Sequence, residues 1–384
     1  MATSLAIFCK VVDNYGDIGI CYRLARQLVA EHQLTVTLWV DDLASFQRIC
    51  PQVVINCDWQ QVDGVFVIHW RNQYERYTVN DVADIVIEFF GCELPPSYVA
   101  AMQKVRPVWI NLEGLSAEEW VEGCHTLPSP QHGMTKYFFY PGFTEKTGGL
   151  IVEAGLLHQR DQFQSNPFST TNFLEHLGVK PSEMSTLKIS LFCYPHAPIA
   201  EVFHAWQINA AVVTCLVPEG VASEKIQTFL GQPAIAGASA TRGQLTVRVI
   251  PFLSQQDYDK LLWSCDMNFV RGEDSFARAQ WSGRPFVWHI YPQDKNLHHV
   301  KLTAFLQRCT LQTLALTAIS LAWNDASDSA LDWSADWQVL ERELAKIANL
   351  APEWQGKLLA HGNLSANLLQ FAISVERKAR ENKL

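Results

Sequence analysis

Twice along the chain, short apolar runs of strand length alternate with segments whose apolar residues recur at helical spacing. No other feature limits the fold as much. The first series has apolar runs at 5–12, 34–40, 65–70, 85–90 and 108–112, with helical segments ending near 31 and covering 96–104 and 117–123. Between its first two runs, Cys21, Leu24, Ala25, Leu28 and Val29 fall on one helical face. A strand that passes through a helix into the next strand returns parallel to it, because the right-handed crossover packs the helix back on the sheet. The second series has runs at 187–194, 211–217, 245–252, 267–270 and 286–290, with helical segments ending near 208 and covering 221–230, 255–264 and 276–281. From there the chain reads as helical, through 300–307, 337–348 and 353–383. Residues 125–149, rich in Pro, Gly and His, read as an irregular connection that contains the aromatic run Tyr137-Phe138-Phe139-Tyr140.

A chain of 384 residues is too long for a single core. The expectation is an α/β protein with two doubly wound domains facing across a cleft, 1–150 and 151–364, and a last helix, about 365–384, packing back on the first. Ligands of such sheets bind beyond the carboxyl ends of the strands, so the turns that leave those ends are where chemistry is to be sought.

Composition narrows the partners. A net charge of −9 and the absence of any long basic run argue against a nucleic acid. No stretch of 18 apolar residues occurs, so no membrane-spanning helix is expected. The 10 cysteines include no Cys-x-x-Cys pair and several sit inside apolar runs, as buried reduced thiols do in a cytoplasmic protein. No metal centre is expected from their spacing. The first residues show no charged region followed by an apolar segment, so no secretion signal is expected.

Two turns carry the chemistry. In the second series, Arg271-Gly272-Glu273-Asp274-Ser275 lies between the apolar run 267–270 and a helical segment that stops at Ser282-Gly283 before Pro285. A strand entering a helix through such a turn offers unpaired backbone N–H groups, which receive phosphate well. Arg271 adds a two-pronged donor suited to a diphosphate. The plainer reading makes Asp274 or Ser275 a helix cap and Arg271 with Glu273 a surface pair. Five such residues at one strand end favour a site. In the first series, Asp13-Asn14-Tyr15-Gly16-Asp17-Ile18-Gly19 lacks the Gly-x-Gly-x-x-Gly order and puts a carboxylate where a pyrophosphate would sit. No P-loop pattern occurs either, so nicotinamide and ATP chemistry are disfavoured. Asp13 and Asp17 stand instead at the mouth of strand one. There Asp17 serves as a general base or anchor, as the cap of a helix over 18–31, or as both.

Around the second turn, Phe192 reads as core and Tyr194 as nearer the rim, while Phe252 can stack on a nucleobase with backbone near Gln255 beside it. Ser254 with Asp257 has the spacing of a cap, and Asp257 and Asp259 read as helix-start acids rather than metal ligands. The loop of Tyr291, flanked by His289, His298 and His299, also leaves a strand end and is expected to line the donor pocket.

The segment 7–19, the stretch Leu38-Trp39-Val40-Asp41-Asp42 and Arg271-Gly272-Glu273-Asp274-Ser275 together resemble the bacterial EarP family, protein-arginine rhamnosyltransferases that modify elongation factor P. The resemblance runs over essentially the whole chain. It implies a GT-B type fold of two Rossmann-like domains. It also implies an inverting transfer from dTDP-β-L-rhamnose, held by the carboxyl-terminal domain, to an arginine of elongation factor P, bound by the amino-terminal one. It makes Asp17 the candidate base, with Asp13 beside it and Glu273 as the second essential carboxylate. Arg271, Asp274 and Ser275 fall near the diphosphate and sugar, and Phe192, Phe252 and Gln255 at the thymine end. Gly272, Tyr194 and Tyr291 complete the expected donor set. No cofactor or metal is implied. The competing expectations are a sugar transferase acting on a lipid or small glycan and a non-catalytic binding module that keeps the fold.

Overall fold

The apolar runs become the strands of two sheets. The computed structural model describes residues 3–13, 15–71, 76–327 and 331–381, and Cα proximity divides the chain into Met1–Ala154 with Gly356–Leu384, and Gly155–Gln355.

The first unit holds β1 (Ser4–Cys9), β2 (Thr35–Val40), β3 (Trp59–Val62), β4 (Val65–His69), β5 (Ile85–Phe89), β6 (Val108–Leu112), β7 (Pro128–Gln131) and β8 (Met134–Phe139). Their order is β3-β4-β2-β1-β5-β6-β8-β7. The two edge strands pair antiparallel and the rest parallel. Leu5 to Cys9 are buried because β1 lies mid-sheet with helices over both faces, the setting that calls for an unbroken apolar run. Beyond β1 the order reverses, since β2 lies on one side of it and β5 on the other. That makes the end of β1 a topological switch point.

The second unit repeats the logic with β9 (Leu187–Leu191), β10 (Val213–Pro218), β11 (Ser239–Arg242), β12 (Leu245–Ile250), β13 (Met267–Arg271) and β14 (Phe286–His289), ordered β11-β12-β10-β9-β13-β14. Its switch point falls between β9 and β13. Below it the rings of Trp206, Phe269, Trp323 and Trp337 pack edge to face or tilted. All four are essentially closed to solvent.

Several sequence expectations need correction. Residues 125–149 are not irregular throughout, since 128–139 form the hairpin β7–β8 that extends the first sheet. Pro128 and Pro130 disguise β7, and they are tolerated because an edge strand need not donate from every residue. The runs 5–12, 187–194 and 245–252 stop as strands at Cys9, Leu191 and Ile250. Residues 337–348 and 353–359 belong to one helix, Trp333–Leu359, which continues through Pro352. The break falls at 360–363, where Gly362 adopts φ +77 and a Cβ would come within 2.8 Å of Asn367 Oδ1. The last helix, Leu364–Glu381, lies in the first unit. There His32 Nε2 meets Ser365 Oγ at 3.2 Å and Asn367 donates to the Gly148 carbonyl. Lys383, the expected end of that helix, lies outside the described residues.

One buried ion pair fixes the helix that carries the Arg271 turn. The Arg278 guanidinium donates from Nε to Asp259 Oδ1 at 2.9 Å and from Nη2 to Oδ2 at 2.8 Å, joining helix Asp274–Trp281 to helix Gln255–Ser264. Both side chains are shielded from water, at 2% and 8% exposure. Asp259→Ala removes the carboxylate that meets a buried cation and is expected to cost about 3–5 kcal/mol in urea unfolding. The double replacement Asp259→Leu with Arg278→Met is expected to recover most of that loss.

Candidate active site

Just past β1, three successive backbone amides have left the sheet ladder and are met by carboxylates. Val11 N–H donates to Asp41 Oδ1 at 2.9 Å, while Val12 and Asp13 both donate to Asp17 Oδ2, at 2.7 and 2.9 Å. Asp17 lies in the first turn of helix Gly16–His32 and is 5% exposed. It is not the helix cap that one reading of the sequence allowed. The cap position is Tyr15, which makes no capping side-chain bond, and Asp17 reaches backward to the loop instead. Its place in the first turn still sets a negative charge against the positive end of the helix dipole. Asp13 folds over the same turn. Gly16 donates to the Asp13 carbonyl at 2.8 Å, and a Cβ at Gly16 would come 3.0 Å from Asp13 Oδ2, close enough to make that carboxylate shift. Asn14 lies outside the described residues.

Asp41 and Asp42 divide their work. Asp41 holds the loop after β1, and Asp42 accepts from Ala44 and Ser45 as the cap of helix Leu43–Ile49. The nearby Cys9 thiol is held well above its ordinary pKa by burial, then by Cys21 and by the charges of Asp17 and Asp41, so it is no nucleophile.

In the second unit, Arg271 ends β13. Its guanidinium carbon sits 4.5 Å from the Phe192 ring centre and 4.8 Å from that of Tyr194, and Nη1 donates to the Cys193 carbonyl at 3.1 Å. The loop leaving β9 therefore brackets the cation between two rings and one carbonyl. That explains why the run 187–194 stops early as a strand: its last residues turn to hold Arg271. Gly272 takes φ +62, the left-handed geometry that suits glycine, donates to the His289 carbonyl at 3.2 Å and accepts from Trp288 Nε1 at 2.7 Å. Arg271 N–H donates to Ser275 Oγ at 3.2 Å, and that hydroxyl in turn donates to the Arg271 carbonyl. Ser275 thus locks the strand-to-helix turn.

The remaining expected residues gather here. Glu273 precedes helix Asp274–Trp281 and pairs with Lys301 at 3.0 Å. Gln255, 5% exposed, donates to Asp274 Oδ2 at 3.4 Å. The Phe252 ring lies 6.4 Å from Phe192, with Tyr258 at 5.6 Å on that ring as well. Tyr291 stands 5.7 Å from Tyr194, near perpendicular to it. The ends of β9, β12, β13 and β14 thus bring together Phe192, Tyr194, Phe252, Gln255, Arg271 to Ser275 and Tyr291 in one unit, and Asp13 with Asp17 form a separate set in the other. Asp257 and Asp259 serve different cations, Lys260 and Arg278, and Ser254 caps helix Gln255–Ser264 through Asp257 N–H.

Sequence reasoning did not foresee the contacts of Lys301 with Glu273 and of Tyr258 with Phe192, which lie far along the chain from one another. Asp41 had a visible signal, since it ends a predicted strand neighbouring β1. Among the described residues no helix is long and apolar enough to cross a membrane.

Known proteins resemble this chain in sequence and in fold. The family model described as "Elongation-Factor P (EF-P) rhamnosyltransferase EarP" matches residues 5–373. A protein-arginine rhamnosyltransferase of Pseudomonas putida is 46% identical over 377 residues, covering 97% of this chain and 99% of its own. One from Pseudomonas aeruginosa is 44% identical over 374 residues, covering 95% and 97%. A solved structure concerned with EarP-mediated arginine glycosylation of translation elongation factor EF-P is 35% identical and covers 97% of this chain and 99% of its own, with a TM-score of 0.65. A Siraitia grosvenorii UGT transferase, 11% identical, covers 97% of this chain and all of its own at a TM-score of 0.52, a likeness that speaks only to the GT-B type fold. The chain belongs to the EarP family of elongation-factor P rhamnosyltransferases, enzymes that transfer rhamnose to a protein arginine.

Proposed function

We propose that the second unit holds dTDP-β-L-rhamnose and that the Asp13–Asp17 turn of the first receives an arginine of elongation factor P in the cytoplasm. The observation that carries this reading is the Arg271 guanidinium, bracketed by Phe192 and Tyr194 at a switch point beside a helix start. A cation held in place by two rings meets a diphosphate without first having to be ordered. Backbone N–H groups at the start of helix Asp274–Trp281 supply further donors, and Gly272 lets the backbone come close. Phe192, Phe252 and Gln255 suit the thymine end, with Tyr194 and Tyr291 toward the diphosphate. Asp257 and Asp259 are already engaged by cations, so the reading assigns the diphosphate's charge to Arg271 and backbone donors, with no metal and no cofactor.

The reaction is a single displacement. An arginine nitrogen bonds to the sugar C1 as the bond from C1 to the β-phosphate oxygen breaks, which inverts the β-linked donor to an α-linked product. The attacking nitrogen sheds one proton to a carboxylate, and the leaving dTDP keeps the electron pair. A guanidinium is protonated at neutral pH and its lone pairs are delocalised, so the acceptor must be oriented and electrostatically accompanied. Asp17, fixed by two backbone amides, with Asp13 beside it, suits that task, and Asp17 is the proposed proton acceptor. Glu273, held by Lys301, supplies negative charge near the developing oxocarbenium carbon.

The replacement Asp17→Asn keeps an oxygen for the Val12 and Asp13 amides and removes the charge. Transfer is expected to fall by about 10²–10⁴-fold with dTDP affinity unchanged. The check is the fraction of elongation factor P gaining one deoxyhexose by mass spectrometry, beside calorimetry with dTDP. Normal turnover by this variant would remove Asp17 from the chemistry. Arg271→Ala is expected to weaken dTDP binding by about 10–100-fold. Arg271→Lys is expected to restore little, because an ammonium lacks both the flat stacking face and the fork. Failure of wild-type protein to modify elongation factor P, while a lipid or glycan accepts the sugar, would replace the acceptor assigned here.

A further inference from the structure

Buried beside the Arg271 bracket is an imidazole to which no step above gives a task. His289 ends β14, is 1% exposed and lies directly across the ladder from Arg271. Three polar contacts radiate from it. Its carbonyl accepts from Gly272 N–H at 3.2 Å, its Nδ1 accepts from Tyr194 N–H at 3.2 Å, and its Nε2 meets His196 Nε2 at 2.9 Å. One residue therefore ties together the loop after β9, which supplies both rings of the bracket, and the turn that begins just past the cation at the end of β13.

We propose that His289 is a positioning residue of the donor half-site, acting as a fixed Nδ1 acceptor that holds Tyr194 and hence the Arg271 bracket, with His196 selecting its tautomer. The proposal rests on the donor reading above only for its binding assay. A backbone N–H can only donate, so Nδ1 of His289 carries no proton and a neutral ring carries it on Nε2. That Nε2–H donates to His196, which must accept through an unprotonated Nε2. Both rings are then neutral, and the chain of bonds runs one way, from Tyr194 N–H to His289 to His196.

The surroundings oppose any added proton. Arg271 faces His289 from β13, His196 from the loop after β9, Lys225 from helix Ser223–Leu230 and His298 from helix Leu297–Arg308. The rings of Tyr194 and Trp323 cover it at 5.1 and 5.8 Å. Burial first, then the repulsion a proton on His289 would meet from a protonated His196 and from Arg271, His298 and Lys225, hold the His289 pKa well below the ordinary imidazole value. Burial and Lys225 also lower His196, against an opposing pull from Asp325. A proton forced onto His289 Nδ1 would turn an acceptor into a donor facing Tyr194 N–H and release the bracket. Because both folded-state values are depressed, the pair costs nothing above the unfolded imidazole value. It destabilises the fold as pH falls below about 6.5, where the unfolded chain takes up protons first.

The test compares the full-length wild-type protein with His289→Asn, whose Oδ1 can stand where Nδ1 accepts, and with His289→Leu, which cannot accept. The expected result is dTDP affinity reduced about tenfold or more by His289→Leu, about 1.4 kcal/mol, with the KM for the sugar donor raised more than kcat is lowered. His289→Asn is expected to restore most of it. On acidification, wild-type affinity for dTDP should fall more than that of His289→Asn, the titration of the dTDP phosphate being common to both. Nitrogen-15 NMR of labelled imidazoles at neutral pH should show His289 protonated at Nε2, a readout independent of any ligand and of how the variants fold. A folded His289→Leu that binds dTDP as wild type does, a His289→Asn no better than His289→Leu, or an Nδ1-protonated His289 would each overturn the proposal. Loss of dTDP binding in none of the variants, Arg271→Ala included, would instead fault the donor reading while the NMR result stood by itself.

Discussion

A backbone N–H that has run past the last ladder bond of a buried parallel strand must find another acceptor, and both units of this protein answer that need largely with side chains of the candidate site. After β1 the amides of Val11, Val12 and Asp13 are met by Asp41 and Asp17. After β9 and β13 the amides of Tyr194, Arg271 and Gly272 are met by the His289 ring, the Ser275 hydroxyl and the His289 carbonyl. The sheets place these strand ends at their switch points. The orphaned amides then decide which side chains must sit there and how they must point.

This makes the opposition between a capping residue and a reacting residue too sharp. Asp17 secures the loop that carries Asp13 and keeps its own charge at the same place. Ser275 closes the turn behind Arg271, and Gln255 reaches the helix-start carboxylate of Asp274. Rigidity at such sites is part of the chemistry, since a preorganised charge need not be reoriented when the reactants arrive. The pair Arg278–Asp259 extends the same principle one layer outward, to the helices on which those residues ride.

Much of this was legible from residue order. The parallel strands β2, β4, β5, β6 and β10 lie within a residue or two of the apolar runs that announced them, and helix Gln255–Ser264 matches its expected span. The strand ends overrun in the sequence, at 10–12, 192–194 and 251–252, share one cause: their residues are apolar enough to read as strand. Two of these overruns are the loops of the site, and the third holds Phe252. What stayed hidden was short or distant. The edge strands β3, β7 and β11 have four residues each and mixed polarity, and β7 contains two prolines. The contacts His289–His196 and Glu273–Lys301 join residues 93 and 28 positions apart, a reach that no local pattern encodes.

The return of helix Leu364–Glu381 to the first unit bears on how the chain is made. Residues 155–355 form their unit from one continuous stretch of chain, and a domain of that kind is generally completed as it emerges from the ribosome. The earlier-synthesised half must wait. Its sheet is translated before the second unit, yet Leu364, Leu368 and Ala372, each nearly closed to solvent in the finished protein, come only after that unit in the chain. Until they arrive, the apolar surface that those three side chains meet in the first unit has nothing from that helix to cover it.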